Sequence, residues 1–235
     1  FKLSPKLKEL MCVGIKAEKD NILKILKNKD AVIIGPGFGT SESAKALLEI
    51  VLEVCAELKL PLVIDADAIN ILSINPSLQK SLTKKTVLTP HPAEMARLKS
   101  TTATLVQERR LEVAEEAAKE FNSTVILKGA RTIICSPEQG LFINPTATAV
   151  LGTAGTGDVL SGIIGAFMAQ GFETLEASII AVYELTHTGN WIISSTFKPL
   201  ETYLIIGFMY LIIILPLTLL SRKLENNNYF KRRSV

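Results

Sequence analysis

The chain has 235 residues, with 26 Lys and Arg against 23 Asp and Glu and a formal net charge of +3. That near-balance gives no reason to expect a nucleic-acid partner. The three scattered cysteines, Cys12, Cys55 and Cys135, match neither a metal-ligand spacing nor a disulfide framework, so they read as reduced thiols of a cytosolic protein. At this length the chain is one α/β domain or a domain with an appendage. No secretory signal opens it, and Phe1-Lys2-Leu3 reads as a start in mid-domain.

In chain order, Ile22, Leu23, Ile25 and Leu26 fall at helical spacing within 18–27. The apolar run 31–34 predicts a strand covered on both faces. It ends in Gly35-Pro36-Gly37-Phe38-Gly39, after which a capping-type Thr40-Ser41 opens a helix through about Leu58. A strand at 62–64 leads into Asp65-Ala66-Asp67-Ala68-Ile69-Asn70. Another at 86–88 leads into Thr89-Pro90-His91-Pro92-Ala93-Glu94, and a charged amphipathic helix is expected over 106–120. Strands at 124–127 and 132–135 pair around Lys128-Gly129-Ala130-Arg131, with a third at 140–143. The apolar segment 159–167 suits a buried helix. This alternation predicts a mostly parallel sheet with helices on both faces, and such sheets bind ligands beyond the carboxyl ends of their strands.

The polar motifs gather at that rim. In Gly152-Thr153-Ala154-Gly155-Thr156-Gly157-Asp158, small residues let several backbone N–H groups converge at the start of a helix, where the dipole also favours an anion. Asp158 then lies within reach of a phosphate as a base, or else merely favours the helix start electrostatically. Gly35, Gly37 and Gly39 make a tight turn or bring backbone close to a ligand; their spacing is not that of a dinucleotide fingerprint. Asp65 and Asp67 either shape their loop or hold Mg²⁺ through water. His91, stiffened by a proline on each side, is placed for ligand contact, whereas His187 reads as structural. The stretch from Lys128 to Thr132 offers a cation and a turn to a nucleotide, or is a plain hairpin turn.

Taken together, these five motifs in this order resemble the ADP/ATP-dependent NAD(P)H-hydrate dehydratases, a branch of the ribokinase-like superfamily, over roughly 10–183. The resemblance implies repair of hydrated NADH and NADPH (NADHX and NADPHX): a nucleotide, ADP or ATP with Mg²⁺, phosphorylates the hydrate, and loss of phosphate restores the nicotinamide. It implies that Asp158 is the base, that Gly155 and Gly157 stabilise the transferring phosphoryl, and that Gly39, His91 and Asp158 meet the hydrate. It further implies that Lys128, Gly129, Ala130, Arg131, Thr132 and Gly157 hold the nucleotide, with no protein metal site, and that the chain self-associates. Alanines at 93 and 154, and Ala147-Thr148-Ala149, depart from the family pattern, and family members begin well before Phe1. A vitamin-precursor kinase of the same superfamily is the alternative enzyme.

The stretch 203–220 has no charged residue and predicts a C-terminal hydrophobic helix that reads as a membrane span or a buried core helix. Arg222, Lys223, Lys231, Arg232 and Arg233 follow it, as on a cytoplasmic flank. Residues 184–235 resemble the end of a polar amino-acid ABC transporter permease. The expected division is therefore a cytoplasmic catalytic domain at 1–183 and a membrane-contacting tail at 184–235. A tail inserted with its basic end inside would leave the catalytic part outside the cell, away from its coenzymes, so a fused reading frame is expected. A membrane-transport component is the non-enzyme alternative.

Overall fold

The computed structural model describes residues 14–146 and 155–196. Six strands form one sheet in sequence order: β1 (Val32–Ile34), β2 (Leu62–Ile64), β3 (Thr86–Leu88), β4 (Thr124–Leu127), β5 (Ile133–Ser136) and β6 (Gly140–Ile143). The first four are parallel, and β5 and β6 run antiparallel to their neighbours. Ile34 pairs with Ile64 and Ile64 with Leu88, so the first three strands finish level with one another. Their carboxyl ends form one rim.

Why helices cover both faces follows from strand order and side-chain alternation. Helix α2 (Glu42–Leu58) joins β1 to β2, while α3 (Ala66–Ile74) and α4 (Pro76–Gln79) join β2 to β3. Helices α5 (Pro92–Leu98), α6 (Ala103–Glu108) and α7 (Arg110–Glu120) join β3 to β4. Strands added in one direction by right-handed crossovers send every crossover to the same face. On that face, with α1 (Lys19–Leu26), these helices enclose Leu62, Ile64, Leu88, Val125 and Leu127. The intervening residues Val63, Val87 and Ile126 point the other way, as period two demands. They are sealed by Leu160, Ile164 and Met168 of α8 (Thr156–Ala169) and Ala177, Ala181 and Val182 of α9 (Thr174–Thr196).

Several element starts are written locally. Ser41 accepts a hydrogen bond from the Ala44 N–H at 3.2 Å and caps α2. Thr102 does the same for α6 through the Leu105 N–H. Two expectations need correction. The helix anticipated over 106–120 is two helices, parted at Arg109, where φ −122° and ψ 41° leave the helical region. Strand β1 is covered only in part: it is an edge of the described sheet, and Ile33, although it lies against Gly165 of α8, is 42% exposed. Among the described residues no helix is long and apolar enough to cross a membrane. The candidate span 203–220 lies outside them.

Candidate functional site

Helix α8 begins on the rim. Gly155 takes a φ of +86°, open to glycine at little cost, and turns the chain into the first helical residues Thr156 and Gly157. Asp158 follows, exposed, its carboxylate making no hydrogen bond or ion pair among the described residues. Partial burial and the nearby Asp65 charge push its pKa above the ordinary carboxylate range, and the Lys128 cation opposes them. One turn on, Ser161 faces inward and donates its hydroxyl to Asp65 Oδ2 at 2.8 Å, pinning the start of α8 to the end of β2.

Asp65 is the hub beneath this turn. Its other oxygen accepts from Lys128 Nζ at 2.8 Å and from the Ala66 N–H at 2.8 Å, which caps α3. Burial alone would raise the pKa of Asp65, but the Lys128 charge and the hydrogen bonds from Lys128 and Ser161 outweigh it and hold the carboxyl below its usual range. Thr89 Oγ1 also lies near enough to favour the charged form, although it meets hydrogen-bond geometry with no group among the described residues. A second buried carboxylate, Glu94, stands 3.9 Å from Lys128 Nζ. A Cβ on Gly157 would lie 3.5 Å from Lys128 Nζ and 3.6 Å from Asp65 Oδ2. The start of α8 and the Asp65–Lys128 ion pair are therefore neighbours.

Around this centre the sequence-predicted residues fall into distinct places. His91 Nδ1 accepts from the Ala93 and Glu94 N–H groups at 3.1 and 3.3 Å and caps α5, while Glu94 accepts from the His91 N–H at 2.8 Å. The same carboxylate meets the other edge of the ring, Glu94 Oε1 standing 3.4 Å from Nε2, and the imidazole stays 47% exposed. Burial lowers the His91 pKa; the Glu94 charge opposes that, and Lys128 and Arg97 add to it. Gly39, at φ +74°, spends its N–H on Asp67 Oδ2 at 2.8 Å. Asp67 thus shapes its loop. Gly35 is required for packing: a Cβ there would lie 1.7 Å from the Asp65 carbonyl oxygen, so its close approach is to the protein's own backbone.

Lys128, Gly129, Ala130, Arg131 and Thr132 form the turn between β4 and β5. Thr132 Oγ1 closes it on the Gly129 carbonyl at 3.0 Å, Arg131 takes φ +54°, and Ala130 and Arg131 are exposed. The Lys128 N–H donates to the Pro90 carbonyl at 2.9 Å, tying this turn to the His91 loop. A family model described as NAD(P)H-hydrate dehydratase matches residues 2–204.

The chain belongs to that family. Over 164 residues it is 41% identical to the bifunctional NAD(P)H-hydrate repair enzyme Nnr of Moorella thermoacetica, covering 70% of this chain and 30% of that protein. Over 163 residues it is 40% identical to the ADP-dependent (S)-NAD(P)H-hydrate dehydratase of Neisseria meningitidis serogroup B, covering 68% of this chain and 54% of that one. The chain thus spans about half or less of these relatives. The Bacillus subtilis ADP/ATP-dependent NAD(P)H-hydrate dehydratase, co-crystallised with ATP and Mg²⁺, superposes at TM-score 0.59 and 27% identity, over 75% of this chain and 62% of that one.

As a member of the NAD(P)H-hydrate dehydratase family, the chain brings Gly155, Gly157, Asp158 and Lys128 into one cluster, with the 128–132 turn hydrogen-bonded to the His91 loop. Three residues of the cluster escaped sequence reading. Ser161 carried a signal, a hydroxyl on the buried side of an apolar helix. Glu94 carried one too, since it stands three residues after a cap. Arg110 carried none, because apart from the nearby Gln107 its partners are the Leu127 and Lys128 backbone carbonyls, distant in sequence.

Proposed function

We propose that this domain carries out the nucleotide-dependent dehydration of hydrated NADH and NADPH, with ADP giving AMP and phosphate. The observation that carries the reading is Asp158: an exposed carboxylate of raised pKa at the mouth of a glycine-built helix start, with the partly buried Lys128 ammonium beside the preceding Gly157. The names of the relatives, ADP-dependent in one and co-crystallised with ATP and Mg²⁺ in another, supply the co-substrate.

In this reading Asp158 takes the proton of the hydrate's hydroxyl as its oxygen attacks the terminal phosphorus of the nucleotide. The oxygen–phosphorus bond to the departing AMP breaks as the new one forms. Helix α8 directs its N-terminal backbone dipoles at the moving phosphoryl group, and Lys128 adds positive charge beside it. Loss of phosphate from the phosphorylated hydrate, together with a ring proton, re-forms the double bond of the reduced nicotinamide. Among the described residues no group of three or more His, Cys, Asp and Glu is placed to hold a metal. A Mg²⁺ ion carried by nucleotide phosphates and water would neutralise phosphate charge there. Gly39 and His91 face the hydrate, and the 128–132 turn takes the nucleotide.

The test is turnover of hydrated NADPH with ADP and Mg²⁺, followed by return of reduced-nicotinamide absorbance. Asp158→Asn is expected to lower kcat by about 10²–10⁴-fold, the range for loss of a positioned base. Because the working form of Asp158 is deprotonated, kcat/KM should fall as pH drops through its pKa. That acid limb should lie above the range of an ordinary carboxylate and vanish in Asp158→Asn. An Asp158→Asn enzyme with full activity would end this reading.

A further inference from the structure

Arg110 is a half-buried cation with no carboxylate in ion-pair range among the described residues. Its neighbour Arg109 pairs with Glu112, but Arg110 points the other way, across the sheet edge. Nη2 donates to the Leu127 carbonyl at 3.2 Å and to the Lys128 carbonyl at 3.4 Å. Nη1 reaches Lys128 O at 3.5 Å and Gln107 Oε1 at 3.1 Å. The break between α6 and α7 at Arg109 gives the chain this direction. Gly129, at φ +138°, leaves room for the guanidinium: a Cβ there would lie 2.8 Å from Nη1. A planar fork is thus fitted into the first residues of the β4–β5 turn. Its charge is answered by carbonyl dipoles alone, and the turn it holds carries Lys128.

We propose that Arg110 is the positioning residue of the nucleotide end of the site. By fixing the Leu127 and Lys128 carbonyls it orients the backbone of the 128–132 turn, while Asp65 holds the Lys128 ammonium, and it adds a fixed positive charge behind the nucleotide phosphates. It therefore sets nucleotide affinity and leaves the proton transfer at Asp158 untouched. This rests on the assignment of the 128–132 turn to the nucleotide.

The decisive experiment measures ADP binding by calorimetry and the KM values for ADP and hydrate, with kcat, in the wild-type chain, Arg110→Met and Arg110→Lys. Arg110→Met is expected to weaken ADP binding and raise its KM about tenfold, the scale of one lost charge-assisted contact, with kcat and the hydrate KM within about twofold. Arg110→Lys keeps the charge but cannot span two carbonyls, so it should fall between the two. A role confined to folding would lower kcat through a smaller active fraction and leave the ADP KM unchanged; that result, or wild-type ADP affinity in Arg110→Met, overturns the proposal. Should Arg110→Met not fold, Arg110→Lys decides: unchanged ADP affinity overturns, a severalfold loss supports. The two assignments fail separately. A wild-type chain that binds ADP but does not dehydrate the hydrate sinks the proposed reaction, and calorimetry still decides Arg110.

Discussion

Lys128 carries two tasks with one charge. Its ammonium neutralises Asp65, whose side chain is 2% exposed, and it also stands beside the α8 start. Removing one partner of a buried pair strands the other, at a cost of about 3–5 kcal/mol. Lys128→Met should therefore lower stability by that order in urea denaturation at neutral pH, and Asp65→Asn in the same chain should recover part of it. The pH dependence has a definite sign. The folded pKa of Asp65 lies below its unfolded value, so its contribution is complete above the unfolded value and is lost as pH falls through the folded one. In Lys128→Met burial acts on Asp65 with less opposition, and acid unfolding should begin at higher pH. Sequence reading left Asp65 open between structural and Mg²⁺-binding roles because a carboxylate's partner is not written near it. Lys128 and Ser161 lie 63 and 96 residues away.

At the level of elements, one close approach of α8 to the sheet is between its Gly165 and Ile33 of β1. A Cβ on Gly165 would lie 2.6 Å from Ile33 Cδ1 and 2.7 Å from Cγ1. Overpacking of this kind costs about 1–3 kcal/mol. Alanine in a helix is otherwise better than glycine by about 0.5–1 kcal/mol. Gly165→Ala should thus destabilise the wild-type chain and stabilise an Ile33→Ala chain, a reversal of sign that a double-mutant cycle in urea would read directly. The elements themselves were largely legible. Strands 62–64, 86–88 and 124–127 were found because they are short apolar runs ended by polar turns, and α2 because Ser41 marks its start. The break at Arg109 was not legible, since 106–120 has helical periodicity throughout. Just past the break, Arg110 donates to the Leu127 and Lys128 carbonyls, a tertiary contact that no local pattern encodes.

Taken whole, the molecule joins its ligand site to its fold, because the parts that would hold a nucleotide also fasten α8 to the sheet. A ligand that binds only the folded chain stabilises it by mass action, about 2.7 kcal/mol at one hundred times Kd. ADP with Mg²⁺ should therefore raise the urea midpoint of this chain, and do so equally in Asp158→Asn, which lacks the base but keeps the turn. No rise in either would count against nucleotide binding by this domain. The order of strands has a further result during synthesis on the ribosome. Four parallel strands and the helices between them are complete by Leu127, yet Val63, Val87 and Ile126 stay bare on the opposite face until residues 156–182 emerge. Until then Asp65 also waits for Ser161. The nascent chain thus leaves Val63, Val87 and Ile126 uncovered until this late segment follows, and the segment that finally shields them is the same one that carries Asp158.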